Sequence, residues 1–281
     1  MGTRIRDACR NKRRTTKVVT EEQRSVPVAL VTGSSRGIGR AIALEFARAG
    51  YDLAIHCRGN VESAREVADG VARLGRRAHV FQADLTRPTE VTRLIEQLRG
   101  ELPAIDVLVN NAGAAPRVRE DILELSESEF DETFHTNFKG PFILTQAIAR
   151  WMLEIKKQDR DRRMTIINIS SISEYSPTVT RAAYCIAKAS MGMMTRLFAV
   201  RLATAGINVN EIRPGIVATD MTAPVKEKYD KRIAEGLTPI RRWGQPEDVA
   251  RAARALASGD FDFATAAVVD VDGGFHLRVL E

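Results

Sequence analysis

Cysteine is scarce in this chain: Cys9, Cys57 and Cys185 are the whole supply among 281 residues. Their number is odd and no pair has the spacing of a metal site, so neither a disulfide framework nor a bound zinc is expected, and a reducing, cytoplasmic setting is. Long apolar runs are missing too. Nothing approaches the roughly 18 uninterrupted apolar residues that a membrane helix requires. The basic start has no apolar stretch beyond Val18-Val19, which predicts no secretory signal. No internal repeat, low-complexity segment or linker-like stretch breaks the chain after Pro27. The composition is otherwise ordinary for a soluble globular protein, 44% apolar and 28% charged, and the chain is long enough to bury a large core.

The net charge of +6 is unevenly spread. Residues 1–24 hold eight Lys/Arg against Asp7, Glu21 and Glu22, so +5 of the total lies there and the rest is nearly neutral. A basic arm can meet nucleic acid or an acidic membrane surface. This one has too little apolar surface to offset the entropy of ordering. Residues 1–25 are therefore expected to be a disordered extension, with neither nucleic acid nor membrane as a partner, and residues 26–281 to form one domain.

From Pro27 onward, short apolar runs alternate with helical patterns. Strands are expected at Val28–Thr32, Leu53–His56, His79–Ala83, Val107–Asn110, Thr165–Ser170, Ile207–Ile212 and Ala267–Val271. Helices are expected at Ala41–Ala49, Val61–Leu74, Thr89–Leu98, as one long helix within Phe130–Ile155, and at Ala182–Thr204 and Pro246–Ala257. Such regular alternation implies right-handed crossovers and a parallel sheet covered on both faces. The fold class is α/β, a doubly wound Rossmann-type domain of about seven strands. The stretch Lys156–Arg163, KKQDRDRR, reads as a solvated surface turn.

Between the first strand and the first helix stands Thr32-Gly33-Ser34-Ser35-Arg36-Gly37-Ile38-Gly39. Glycines at 33, 37 and 39 permit a tight turn, close approach of a ligand to the backbone, and close packing of helix on strand. The helix N-terminus then offers free N–H groups to a phosphate. Glycines also end strands for structural reasons alone. Here they fall at the first strand–helix junction of a doubly wound pattern, where a nucleotide is expected.

The spacing is TGxxxGIG rather than GxGxxG, and it resembles that of the short-chain dehydrogenase/reductase family. Further signatures follow in that family's order: Asn110-Asn111-Ala112-Gly113, Asn137, Ser171, Tyr184 with Lys188 as YxxxK, Pro214-Gly215, then Thr219 and Asp220. The resemblance covers about residues 26–276. It implies an NAD(P)-dependent oxidoreductase with Asn137, Ser171, Tyr184 and Lys188 as its catalytic set, and no metal. The residues carry the same chemistry by themselves. Tyr184 and Lys188 are four apart on an expected helix and so share a face. A phenol ordinarily titrates near 10, and a neighbouring ammonium stabilises its anion, which suits it to proton transfer at neutral pH. Ser171 can hydrogen-bond a substrate oxygen. The resemblance selects it over Ser170, because it lies thirteen positions before Tyr184. The resemblance further gives Lys188 a contact to the nicotinamide ribose and Asn137 a part in a water-linked proton path.

For the cofactor, selection of NAD ordinarily uses an acid at the end of the second strand. This chain has His56-Cys57-Arg58 there and no acid until Glu62. Arg58 with Arg36 can clamp a 2′-phosphate, so NADP(H) is expected. The family pattern assigns the remaining cofactor contacts to Gly33, Ser35, Gly37, Ile38, Gly39, to Asp84 and Leu85 about the adenine, and to Asn111, Ala112, Gly113, Pro214, Gly215, Val217 and Thr219, with Tyr184 and Lys188.

The substrate is less legible. SSRGIGRAIA at 34–43, TDMT at 219–222, RRWGQPEDVA at 241–250 and VDGG at 271–274 are similar to bacterial 3-oxoacyl-acyl-carrier-protein reductases, and occur in sugar, polyol and steroid oxidoreductases as well. After NNAG the chain reads Ala-Ala-Pro-Arg-Val-Arg-Glu, and Arg201 stands where those enzymes commonly have an acid. Arg150 matches a family position that meets the acidic carrier protein. Residues 221–240 are expected to be a substrate lid. Three readings stay open: reductase of a 3-oxoacyl thioester, free or carrier-bound, in fatty acid biosynthesis; NAD(P)-dependent sugar or polyol dehydrogenase; and non-catalytic cofactor sensor. The resemblance also implies a homotetramer.

Overall fold

In the computed structural model the described residues are 26–277, so the basic arm at 1–25, Cys9 and the last four residues of the expected domain lie outside them. Strand β1 (Val28–Val31) runs into α1 (Gly37–Arg48), and the same strand–helix step repeats through β2 (Asp52–Cys57), α2 (Val61–Arg73), β3 (Ala78–Gln82), α3 (Pro88–Glu101) and β4 (Val107–Asn110). After α4 (Glu127–Phe134) and α5 (Gly140–Gln158) come β5 (Met164–Ile169), α6 (Ala182–Leu202), β6 (Ile207–Pro214), α7 (Lys226–Ala234), α8 (Pro246–Ser258) and β7 (Val268–Val271). The seven strands are parallel, in the order β3-β2-β1-β4-β5-β6-β7.

Alternation along each strand divides the core between two faces. Ala29, Val31, Leu53, Ile55, Val107 and Val109 pack with Ile42 and Phe46 of α1, Val67 and Val71 of α2, and Val249, Ala253 and Leu256 of α8. Val28, Leu30, Ala54, Leu108, Ile166 and Val209 face Leu94 and Leu98 of α3, Leu144, Ile148 and Met152 of α5, and Leu202 of α6. Phe46, Ile42, Leu30 and Leu144 have no measurable exposure. Each such side chain stabilises the fold by roughly 2–3 kcal/mol. The chain leaves β1 toward β2 and β3 on one side and returns to β4 on the other. A crevice therefore opens at the carboxyl ends of β1 and β4, where a doubly wound sheet receives its ligand. No helix of the described residues is long and apolar enough to cross a membrane.

Three expectations need correction. The long helix across Phe130–Ile155 is two helices joined by a π-helical turn, His135–Lys139. Phe130, Phe134, Phe138 and Phe142 pack ring to ring down this whole stretch, with centroids 5.1–6.0 Å apart, so its apolar spacing gives no sign of the break. The stretch 221–240, expected as a lid without regular structure of its own, contains a helix, α7, that its polar composition hides; only Ile233 in it is buried. The stretch Lys156–Arg163 is no freely solvated turn. The Lys156 ammonium is buried and donates to the carbonyls of Arg160 (2.6 Å) and Arg162 (2.8 Å). Arg162 makes a bidentate pair with buried Asp106, whose Oδ2 also accepts the N–H of Val28 at 2.8 Å. The charges here neutralise an acid under the sheet end.

Candidate active site

The turn from β1 to α1 is shaped by two glycines and a histidine. Gly33 has φ +63°, a left-handed conformation that side chains disfavour. At Gly39 a Cβ would overlap the Gly33 carbonyl and the Asn111 amide, so the helix can start there only without one. The N–H of Gly33 donates to Nδ1 of His56 (3.1 Å), and Nε2 of the same ring donates to the Ala83 carbonyl (3.0 Å). An N–H cannot accept and a carbonyl cannot donate, so these neighbours require a neutral ring with its proton on Nε2. Burial lowers His56 to about 4, against the opposing pull of the Ala83 carbonyl and the Asp84 charge.

Thr32 and Asn111 tie β1 to the NNAG segment. The Thr32 hydroxyl oxygen accepts the N–H groups of Asn111 and Ala112, both at 2.9 Å, and the Asn111 amide donates to the carbonyls of Thr32 (2.9 Å) and Gly33 (3.2 Å). Asn110 points the other way, into a buried polar ladder. Its amide donates to the Thr145 hydroxyl (2.7 Å) and to Asn168 Oδ1 (2.8 Å), and Asn168 donates to the Thr195 hydroxyl (2.8 Å). The ladder joins α5, β4, β5 and α6 beneath the cleft.

Asn137 lies in the π-turn and is buried. Its amide donates to the Ala114 (3.1 Å) and Thr133 (2.9 Å) carbonyls, and its Oδ1 accepts the Ala114 N–H (3.1 Å). A Cβ on Gly113 would stand 2.8 Å from that Oδ1 and 3.8 Å from Lys188 Nζ, so this glycine leaves the space on which the two polar groups converge. Lys188 is 4% exposed. Its ammonium donates to the Ile169 carbonyl (2.8 Å) and lies 5.7 Å from the centre of the Tyr184 ring. Burial, the largest influence, lowers the Lys188 pKa, while the Tyr184 and Glu211 charges work to raise it. Tyr184 is 8% exposed, at the start of α6. Ser171 caps a short 3₁₀ turn, Ile172–Glu174, accepting the Ser173 N–H at 3.1 Å. Ser170 differs: its hydroxyl is engaged by the carboxylate of Glu211.

All twenty residues that the sequence assigns to catalysis or cofactor contact line one cleft of about 860 Å³. At one end are the glycine turn, Asp84, Leu85, Arg36 and Arg58; at the other are Asn137, Ser171, Tyr184 and Lys188, with Pro214, Gly215, Val217 and Thr219 on the wall that follows β6. Arg36 reaches Asp220 at 3.5 Å across the mouth, with both side chains mostly exposed. Arg58 has no carboxylate within 4 Å among the described residues; its charge helps hold Asp84 below the usual carboxylate range, where burial is outweighed chiefly by the N–H and hydroxyl of Thr86. A turn with no room for side chains, backed by a long crevice, fits a dinucleotide.

Several participants carry no sequence signal. His56 is a lone histidine in a strand. Glu211 and Glu174 share Arg213, with Nε 2.8 Å from Glu174 and 3.1 Å from Glu211, and hold the loop after β5 against the end of β6. Burial, then the Glu174 neighbour, push Glu211 up to about 7. The ligand atoms of Asp270, Asp272 and His276 lie within 4.8 Å of one another, a cluster the spacing of residues does not announce. Asp272 there already accepts the N–H groups of Gly274 (2.8 Å) and His276 (3.0 Å).

Residues 33–276 match the family model described as enoyl-(acyl carrier protein) reductase. A 3-oxoacyl-[acyl-carrier-protein] reductase of Staphylococcus epidermidis is 34% identical over 251 residues, 89% of this chain and 98% of that protein. The structure of a 3-oxoacyl-[acyl-carrier protein] reductase from Brucella melitensis, in complex with NAD, superposes with TM-score 0.86 at 40% identity, over 92% of this chain and all of the other. A protein of Agrobacterium tumefaciens proposed to be a 2-deoxy-d-gluconate 3-dehydrogenase, with bound NADP, superposes with TM-score 0.79 at 32% identity, over 90% and 97% of the two chains.

Proposed function

The chain belongs to the short-chain dehydrogenase/reductase family of NAD(P)-dependent oxidoreductases, and we propose that it uses NADPH to reduce the keto group of a 3-oxoacyl thioester to an alcohol. The observation that carries this reading is the burial of Tyr184 and Lys188 on the wall of the same cleft that the glycine turn floors. When bound, the dinucleotide supplies the hydride. Tyr184 donates its proton to the carbonyl oxygen as the alcohol forms. Ser171 donates a second hydrogen bond to that oxygen and orients it. The Lys188 ammonium, kept dry beside the ring, stabilises the negative charge left on the phenol. Asn137 and Lys188, converging over Gly113, frame a route by which water returns the proton. The phosphates would meet the N-terminus of α1, and Gly33, Gly37 and Gly39 give them access to the backbone.

Arg58, just past the end of β2 where an acid would select NAD, and Arg36 in the glycine turn support NADP over NAD. The relatives crystallised with NAD and with NADP leave room for both. A carrier protein, which is acidic, would dock on Arg150, exposed on α5. Ile186, Met193, Leu197 and Val200 form an apolar stripe on α6, 44–81% exposed, which supports assembly of four copies through the long helices. A cytoplasmic setting suits the free thiols of Cys57 and Cys185. Residues 26–281 form the catalytic unit in this reading, and deletion of 1–24 should leave turnover unchanged. The second reading, a sugar or polyol dehydrogenase, is favoured by the hydroxyls of Ser173, Ser176, Thr178 and Thr180 along the substrate end of the cleft.

The test is titration of the pure protein with NADPH and NADH, then initial rates with acetoacetyl-CoA against a sugar and polyol panel. Tyr184→Phe is expected to cost about 10²–10⁴ in kcat and to keep dinucleotide binding. Activity on sugars with none on any thioester moves the assignment to the second reading. Dinucleotide binding without turnover of any carbonyl would make the protein a cofactor sensor, and failure to bind either dinucleotide overturns both enzyme readings.

A further inference from the structure

Arg181 immediately precedes α6, three residues before Tyr184, and lines the same cleft. Its guanidinium lies 4.3 Å from the centre of the Tyr184 ring. Its Nε is buried without a hydrogen-bond partner, and no carboxylate lies within 4 Å of the side chain among the described residues. Arg119, Lys228 and Arg232 line this half of the cleft and have no such partner either. Among the described residues the only acids on the cleft wall are Asp84, just after β3, and Asp220, which faces Arg36.

A half-buried guanidinium without a counter-charge is costly, because desolvation is not offset. Stacking on an aromatic face recovers part of that cost and leaves the donor fork unused. The planar fork of arginine matches a carboxylate, which it can bind through two parallel hydrogen bonds. From this we propose that Arg181 binds a carboxylate of the substrate, so that the molecule reduced at Tyr184 is an oxo acid. The inference rests on Tyr184 acting at the carbonyl. It narrows either substrate class named above: in a 3-oxoacyl thioester the carboxylate ends the acyl chain, and in a sugar it makes the substrate a sugar acid. The exposed Arg119, Lys228 and Arg232 draw such an anion toward the mouth.

The test compares acids with neutral partners of like shape: acetoacetate with methyl acetoacetate, levulinate with methyl levulinate, and 5-ketogluconate with fructose. For the pair that turns over fastest, the wild type is expected to favour the acid in kcat/KM by about tenfold or more, the value of one charge-assisted contact. Arg181→Gln should collapse that ratio, mainly through KM for the acid, and Arg181→Lys should restore part of it. Independently of turnover, malonate and glutarate titrated into the NADP-loaded protein should bind about tenfold more tightly to the wild type than to Arg181→Gln. Esters reduced as well as acids, or a variant that lowers acid and ester equally, would overturn the carboxylate site and leave the reductase standing. Anion binding that depends on Arg181, with no carbonyl reduced, would retain the site and remove the reductase.

Discussion

Gly33 donates its backbone N–H to Nδ1 of His56 across 3.1 Å, which fastens the first turn of the dinucleotide cradle to the second strand. The bond exists only while the imidazole is neutral. Burial keeps it so by lowering the ring to about 4 from its ordinary 6.5.

Acid should therefore weaken this protein through His56. The unfolded chain binds the proton first as pH falls, so the stability present above about 6.5 is lost progressively toward pH 4, by about 3 kcal/mol in full. Denaturant unfolding at pH 7 and at pH 4.5 is expected to show a clearly smaller difference in His56→Asn than in the wild type. Equal differences would mean that other groups carry the acid sensitivity.

At Gly39 an added methyl group meets the Gly33 carbonyl and the Asn111 amide, both part of the cradle. Gly39→Ala should cost about 1–3 kcal/mol of stability and at least tenfold in dinucleotide affinity, followed by fluorescence titration with NADPH. Gly100→Ala is the control. Nothing lies within 4 Å of a Cβ there, so binding should stay constant and α3 should gain slightly.

Cofactor choice is expected to turn on Arg58. Arg58→Asp should lower kcat/KM for NADPH by roughly tenfold to a hundredfold, the worth of a charge-assisted phosphate contact, and leave NADH unchanged or improved, since an acid there can accept the ribose 2′-OH. Measuring both dinucleotides with one substrate decides it, since an unchanged ratio would remove Arg58 from the recognition.

Glu211 contributes in the opposite sense to His56. Its folded pKa, pushed up to about 7 by burial and by Glu174, exceeds its ordinary value of 4.5, so the stability it gives below about 4.5 is lost as pH rises through 7. Glu211→Gln should gain on the order of 1–3 kcal/mol relative to wild type at pH 8 and little at pH 5. Arg213→Met, which leaves two carboxyls facing each other without their cation, should cost roughly 3–5 kcal/mol at pH 8. Thermal melts at both pH values compare the two variants.

The sheet was readable in the sequence because its buried strands are built around short runs of Val, Leu, Ile and Ala. Val107–Asn110 matches β4 residue for residue. The candidate site was readable because its residues recur in a fixed order, and the fold gathers them along one crevice. What was hidden depends on contacts far apart in the chain. The π-turn keeps the spacing of phenylalanines that a straight helix would have. Lys156 and Arg162 read as solvated charges until the loop turns two carbonyls onto Lys156 and Asp106, 56 residues before Arg162, is brought against that guanidinium. His56 has no neighbouring motif, and its partners Gly33 and Ala83 are 23 and 27 residues away. Arg181 carries no signal of its own, because nothing in a string of letters tells an unpaired guanidinium from a paired one.

The ladder from Thr145 through Asn110 and Asn168 to Thr195 has a consequence for how the sheet finds its alignment. Strands made only of Val, Leu and Ile can slide past one another by two residues and still bury oily side chains. Once Asn110 must face Asn168 across β4 and β5, any such slip strands amides in a dry interior, away from the only groups that can satisfy them. The centre of the molecule thus carries its own registration mark, one that disfavours a slipped sheet whatever the cleft holds.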